Sequence, residues 1–212
     1  MSKLFGFFSL LLIVSAGCSE KSSPQAPPPH TFTPWADEVV SIQYGTGAGF
    51  GQRFFPGNIL GPPDTSASQY AASFTEQNLL TLGRGGEIVL AFRDGGIYDS
   101  TGVDFTVFGN PFINRANGQV FRKVAIVSVS EDGLQWYEFP FDTVTYAGLA
   151  GATPTNGQAN SLDPTASGGD SFDLATVGLH HAIYVKLTDA ADRVSDGGDS
   201  FNLDAVVAIH GG

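Results

Sequence analysis

The chain has 212 residues, 21 acidic against 10 basic side chains, a formal net charge of −11 and one cysteine. That charge argues against a nucleic-acid partner, and a single cysteine excludes an intramolecular disulfide. The acidic balance suits a solvated extracellular surface and divalent cations, although solubility alone explains part of it.

The first segment reads as a targeting signal. Lys3 precedes an apolar run from Leu4 to Val14 that is too short to span a bilayer. Ser15, Ala16 and Gly17 lead into Cys18, and "VSAGCSE" resembles a bacterial lipobox. The resemblance implies cleavage before Cys18, a lipidated amino terminus and an anchor in a membrane. Ser15 departs from the leucine usual at that position. Ser19, where an aspartate goes with retention at the inner membrane, points to the outer membrane or the cell surface. Residues 1–17 are thus the expected signal and 18–34 a lipidated tether. Five of the twelve prolines fall in residues 19–34, which extend the chain without offering a core.

Residues 35–212 are expected to form one domain. "VVSIQY" (39–44), "EIVLAF" (87–92), "DFTVF" (104–108), "KVAIVSVS" (123–130), "IYVKLT" (183–188) and "DAVVAIH" (204–210) are β-branched or alternate with period two. They predict half-buried strands separated by glycine-rich turns, hence an all-β sandwich or barrel. "ASQYAASFTEQNLL" (67–80) admits one short helix, and its end equally admits a strand.

"KVAIVSVSEDGLQWYEF" (123–139) resembles the hairpin of discoidin-like, galactose-binding-like domains, with a turn at Asp132-Gly133 and Trp136 placed to cover the end of the core. "NILGPPD" (58–64), "LGRGGEIVLAF" (82–92), "YVKLTD" (184–189) and "FNLDAVVAIH" (201–210) follow the same family in the same order. The resemblance, to a group of bacterial cell-surface proteins, spans roughly 39–210 and implies a galactose-binding-like β-sandwich or jelly roll with long loops. Gly109 and Asn202 stand where that pattern carries acids.

The same resemblance implies a structural calcium where an early loop meets the last strand, matched here by Asp64 and Asp204. A second set of oxygens comes from a repeated turn: Gly168-Gly169-Asp170-Ser171-Phe172 returns as Gly197-Gly198-Asp199-Ser200-Phe201. Asp170, Asp173, Asp199 and Asn202 are its candidate ligands, since calcium takes six to eight oxygens and Gly-Asp turns can wrap them. The plainer account is that these aspartates bond backbone amides and that each phenylalanine plugs the core. The register is not that of an EF-hand, and adjacent His180 and His181 would point to opposite faces of a strand, which disfavours zinc.

"GTGAGFG" (45–51) lacks the third glycine of a dinucleotide loop, and no Gly-x-Ser-x-Gly elbow is present. The expectation is therefore a non-catalytic module binding carbohydrate or another surface polymer through loops at one end of the sandwich. Asn110, Arg115 and Arg53 are the candidate contacts, while Phe54, Phe55 and Phe121 are expected in the core. The alternatives are an adhesive envelope protein that binds other proteins, and a hydrolase.

Overall fold

The computed structural model describes Met1, residues 32–194 and residues 200–211. Cys18, the tether up to residue 31, and Asp199 of the second glycine turn lie outside the described residues.

The early strands are β1 (Glu38–Gln43), β2 (Leu80–Thr81), β3 (Glu87–Ala91), β4 (Ile97–Tyr98) and β5 (Phe105–Phe108). The middle of the chain adds β6 (Phe112–Ile113), β7 (Val120–Phe121), β8 (Ala125–Ser130) and β9 (Tyr137–Glu138). The last are β10 (Asp170–Phe172), β11 (His181–Ala182), β12 (Tyr184–Asp189), β13 (Asn202–Leu203) and β14 (Ala205–Ala208). Every pairing is antiparallel. One sheet has five strands in the order β1-β3-β12-β8-β9, and a second has three in the order β10-β5-β14.

Period-two sequence becomes apolar rows across the larger sheet. Ile88 of β3 faces Leu187 of β12, which faces Val127 of β8; one step along, Leu90, Val185 and Val129 form a parallel row. All six side chains are fully buried. From the smaller sheet, Phe105, Val107, Phe172 and Val206 enter the same core. Phe105 and Phe172 stack with ring centroids 5.1 Å apart, and Phe139 closes the group 4.9 Å from Phe172.

Three strands, β5, β8 and β14, are buried further than alternation predicts. All four residues of β5 and all four of β14 are buried, because a second layer covers their outer side. There Phe108, Ala205 and Val207 pack under Trp35 and Ile209. The segment before β1 lies along the free edge of β14: Ala36 donates to the Val206 carbonyl and Ala208 to that of Pro34.

The hairpin between β8 and β9 forms as expected. Asp132 Oδ1 accepts the amides of Leu134 and Gln135, and Gly133 takes φ 75°, a left-handed conformation that suits glycine. Trp136 does not cover the end of the core. It lies half-buried on the outer face of the larger sheet, where Lys186 Nζ sits 4.4 Å from its ring centroid. Phe139, three residues on, takes the buried place instead. Residues 67–79 contain no helix; turns and an isolated Ser68–Ala71 bridge lead directly into β2.

Candidate functional site

β5 and β14 run antiparallel, with Phe108 opposite Ala205 and Phe105 opposite Ala208. The loop after β5 and the turn before β14 therefore meet at one end of the sandwich. Most of the residues of interest gather there, in two neighbouring clefts.

The smaller cleft, about 290 Å³, holds Asn58, Asp64, Gln77, Asn78 and Asp204. Residues 140 positions apart meet in it: the Asp64 amide donates to both carboxylate oxygens of Asp204, at 3.1 and 3.0 Å. Asp204 is 4% exposed, and among the described residues that one amide is its hydrogen-bond donor. Burial, aided by the charge of Asp64 and opposed by the amide bond, pushes its pKa up to about 8. Asp64 is also pushed up by burial, but bonds from the amide and hydroxyl of Ser66, the hydroxyl of Ser73 and the Asn78 side chain outweigh this. Its pKa ends below the usual carboxylate range.

Asn58 supplies a third oxygen. Its amide nitrogen is used by the carbonyls of Gly51, Glu76 and Leu79, which fixes the orientation of the group. Its Oδ1 is buried and has no hydrogen-bond partner among the described residues. A buried acceptor without a donor costs about 1–3 kcal/mol. An orphaned amide oxygen on a residue that lines the same cleft as one ionised and one under-bonded carboxylate gives that cleft the oxygen donor types that suit a hard divalent cation. Asn58 was absent from the sequence-derived candidates, because an orphaned oxygen is visible only once its neighbours are placed.

The larger cleft, about 440 Å³, is walled by three stretches of chain. Thr46 and Phe50 come from the glycine-rich loop after β1, Ser73 and Phe74 from the loop before β2, and Asn110 and Phe121 from the region of β6 and β7. Phe74 is 83% exposed, Phe121 45% and Phe50 37%. Arg84 and Lys123 also line it. The two clefts share a wall, since the Ser73 hydroxyl donates to Asp64 while its backbone amide and carbonyl bond the Asn110 side chain.

The other candidates disperse. Asp170 is buried and accepts the Ala152 and Thr153 amides; burial raises its pKa to about 6 against those bonds. It anchors the loop around residues 151–153 to β10. Asp173 caps a short 3-10 turn through the Ala175 amide and lies at the opposite end of the sandwich, beside Asp99 and the fully buried Asp104. Each of those three carboxylates offers an oxygen within 4.8 Å of the others. Asn202 stays at the larger cleft, which it lines, but its Oδ1 is used by the Thr81 hydroxyl at 2.6 Å, joining β13 to β2. Asp132, Asp142 and Asp163 likewise bond nearby amides in their own turns. The repeated glycine turn thus does not assemble its oxygens at one point among the described residues, and its phenylalanines are core plugs: Phe172 is 4% exposed and Phe201 is fully buried.

Of the three expected ligand contacts, only Asn110 lines the larger cleft, and its amide is occupied by Ser73. Arg115 lies 4.2 Å from the Tyr70 ring centroid, and Arg53 pairs with Glu76 at 2.5 Å. Phe121 is 45% exposed and not core: among the described residues its strand β7 pairs only with β6, in a hairpin separate from the two main sheets. Phe54 and Phe55 are half-buried, Phe55 against the main core. His180 and His181 do diverge, towards Asp99 and the Gly95 carbonyl.

No protein-family model matches the chain, and a search among curated proteins finds no match.

Proposed function

We propose that the chain is a lipid-anchored, non-catalytic binding module of the cell surface. In this reading a discoidin-like sandwich takes a saccharide polymer in the larger cleft. The observation that carries it is the convergence of exposed Phe50, Phe74 and Phe121 on a concave site walled by hydroxyl and amide side chains. Apolar ring faces suit the C–H faces of sugars, and the polar groups suit their hydroxyls. A volume of about 440 Å³ falls in the range of ligand clefts. Exposed apolar residues drawn into a concavity favour this over a flat adhesive patch.

The direction of the chain supports the placement. Pro34 bonds Ala208 at one end of β14, whereas Asn110 and Asn202 lie beyond the other end of the β5–β14 pair. A tether entering at residue 32 would hold the cleft away from the membrane that anchors Cys18.

The anchor predicts that Cys18→Ala moves the protein from the membrane fraction or leaves an uncleaved precursor. A mature acylated protein in that variant would refute the lipoprotein reading. In the smaller cleft, Asn58, Asp64 and Asp204 would hold calcium, which would supply positive charge between the early loop and the last strand. The binding function is tested by screening the full chain on a glycan array with and without calcium. Binding is expected, with a loss of about tenfold on Phe74→Ala, since a stacked aromatic contributes on the order of 1–3 kcal/mol by truncation. Absence of any glycan signal from folded protein would overturn the proposal.

A further inference from the structure

We propose that a third cleft, separate from the two described above, binds a free α-amino acid, with Arg122 taking its carboxylate and Asp170 its ammonium group. The proposal stands apart from the saccharide reading, since this cleft shares no lining residue with the other two.

The cleft has a volume of about 360 Å³, and Arg122, Thr145, Tyr146, Thr153, Asp170 and Ser171 stand in its walls. Its two charged side chains meet no partner of opposite sign among the described residues. Arg53, Arg84 and Arg93 each pair with a carboxylate. Arg122 instead donates from Nε to the Ala152 carbonyl at 3.3 Å and from Nη1 to the Val120 carbonyl at 3.5 Å. Three of the five N–H groups of its guanidinium, both on Nη2 among them, are left to a ligand. Its Cζ lies 5.0 Å from the centroid of the Tyr146 ring. Tyr146 has φ 66°, a conformation that a bulky side chain keeps only where its surroundings hold it.

Asp170 is 9% exposed, and its Oδ2 accepts the Ala152 and Thr153 amides at 2.9 and 3.4 Å. Burial raises its pKa to about 6, although these amides and the Thr153 side chain favour the charged form. A carboxylate kept from water and given no counter-charge is stabilised by a cation brought to it.

Ala152 fixes the spacing of the two charges, because its amide holds Asp170 and its carbonyl holds Arg122. The backbone bonds of one residue, added to those two hydrogen bonds, put Arg122 Nε at most about 10 Å from Asp170 Oδ2. An α-amino acid with a charge-assisted bond at each end spans about 9 Å. An anion alone would sit against Asp170, and an amine alone against Arg122; a molecule with both charges on one carbon satisfies the two together.

The test titrates the full chain by calorimetry with L-alanine, L-serine, L-leucine and L-phenylalanine, each beside its N-acetyl derivative and its primary amide. Acetylation removes the ammonium and amidation the carboxylate. Work at about pH 7 keeps both charges of the amino acid and most of the Asp170 carboxylate. At least one free amino acid is expected to bind about tenfold tighter than either of its derivatives, the change made by one charge-assisted hydrogen bond. Arg122→Gln should lower its affinity to that of the amide. Asp170→Asn, which keeps an acceptor for the Ala152 amide, should lower it to that of the N-acetyl form, while Phe74→Ala has no effect. The derivatives alone decide the matter if Asp170→Asn does not fold. Binding of none of the four amino acids by folded wild-type protein would overturn the proposal and leave the saccharide reading standing. A derivative bound as tightly as its parent would also overturn it, reducing the cleft to a site for a single charge.

Discussion

Calcium is expected to raise the melting temperature of the wild-type chain at pH 8 by about 5–10 °C at a hundredfold excess over its dissociation constant, and Asp204→Asn to abolish the response. The reason lies in the proton that Asp204 holds without a cation. Its folded pKa is about 8, and an unfolded aspartate titrates near 3.9. Between about pH 4 and pH 8 the folded state keeps a proton that the unfolded state has released. Calcium-free stability therefore falls as pH rises through that window and levels off above it. An asparagine at 204 has no proton to lose, so the calcium-free variant should lack this slope and equal or exceed wild type at pH 8. Its side-chain oxygen still accepts the Asp64 amide. Calcium displaces the proton from the wild-type carboxyl, so its affinity should climb over the same pH range. Differential scanning calorimetry at pH 5 and pH 8, with calcium and with chelator, reads all of this. A wild-type melting temperature at pH 8 that ignores both additions would leave Asp64 and Asp204 as a hydrogen-bonded brace between loop and strand.

Gly151→Ala should destabilise the fold by about 3–5 kcal/mol, summing backbone strain and overpacking. Gly151 has φ 81°, and a Cβ there would lie 2.1 Å from the Lys123 carbonyl oxygen and 2.8 Å from the Phe201 ring. Neither neighbour can retreat: Lys123 leads into β8, and Phe201 is fully buried. Gly118 provides the control, since its φ of 71° is similar but a Cβ would meet nothing within 4 Å. Gly118→Ala should cost only the strain, about 1 kcal/mol. Urea midpoints of the two variants separate conformation from crowding, and equal losses would show that the space around Gly151 is not limiting. Phe201 also constrains Gly109, where a Cβ would lie 3.0 Å from its ring. Packing thus gives a reason for glycine at position 109.

The strands were legible because period two is written locally. Ile88 and Leu90, or Val185 and Leu187, announce one buried face without knowledge of any partner. The burial of Phe108 and Val207 was not legible, since it depends on Trp35 and Ile209 arriving from the two ends of the domain. Two-residue strands such as β2 and β13 are too short to carry a period; they form because Asn202 and Thr81 bond across the chain. At the site, Asp64 and Asp204 came from a family resemblance and not from spacing, and they do meet. The acid-rich turns use their described carboxylates for backbone bonds, which spacing alone does not foretell. A carboxylate at a turn or strand end finds backbone amides that need an acceptor, as Asp170 does at Ala152 and Asp189 at Phe201. Phe74 left a weak signal, a large ring in a polar run with no apolar partner at strand spacing.

At the margin of the larger sheet, β1 is broken by a register shift between Val39 and Ser41 that leaves Val40 unpaired against β3 and 43% exposed. The opposite margin, β9, is two residues long and is soon followed by Pro140. In the smaller sheet, residues 34–36 occupy the open side of β14. Sheet margins are where copies of a β-protein zip together into aggregates, and a bulge, a short strand, a proline and a covering segment each remove the template. Molecules crowded side by side at high local density could then collide repeatedly without polymerising through their backbones.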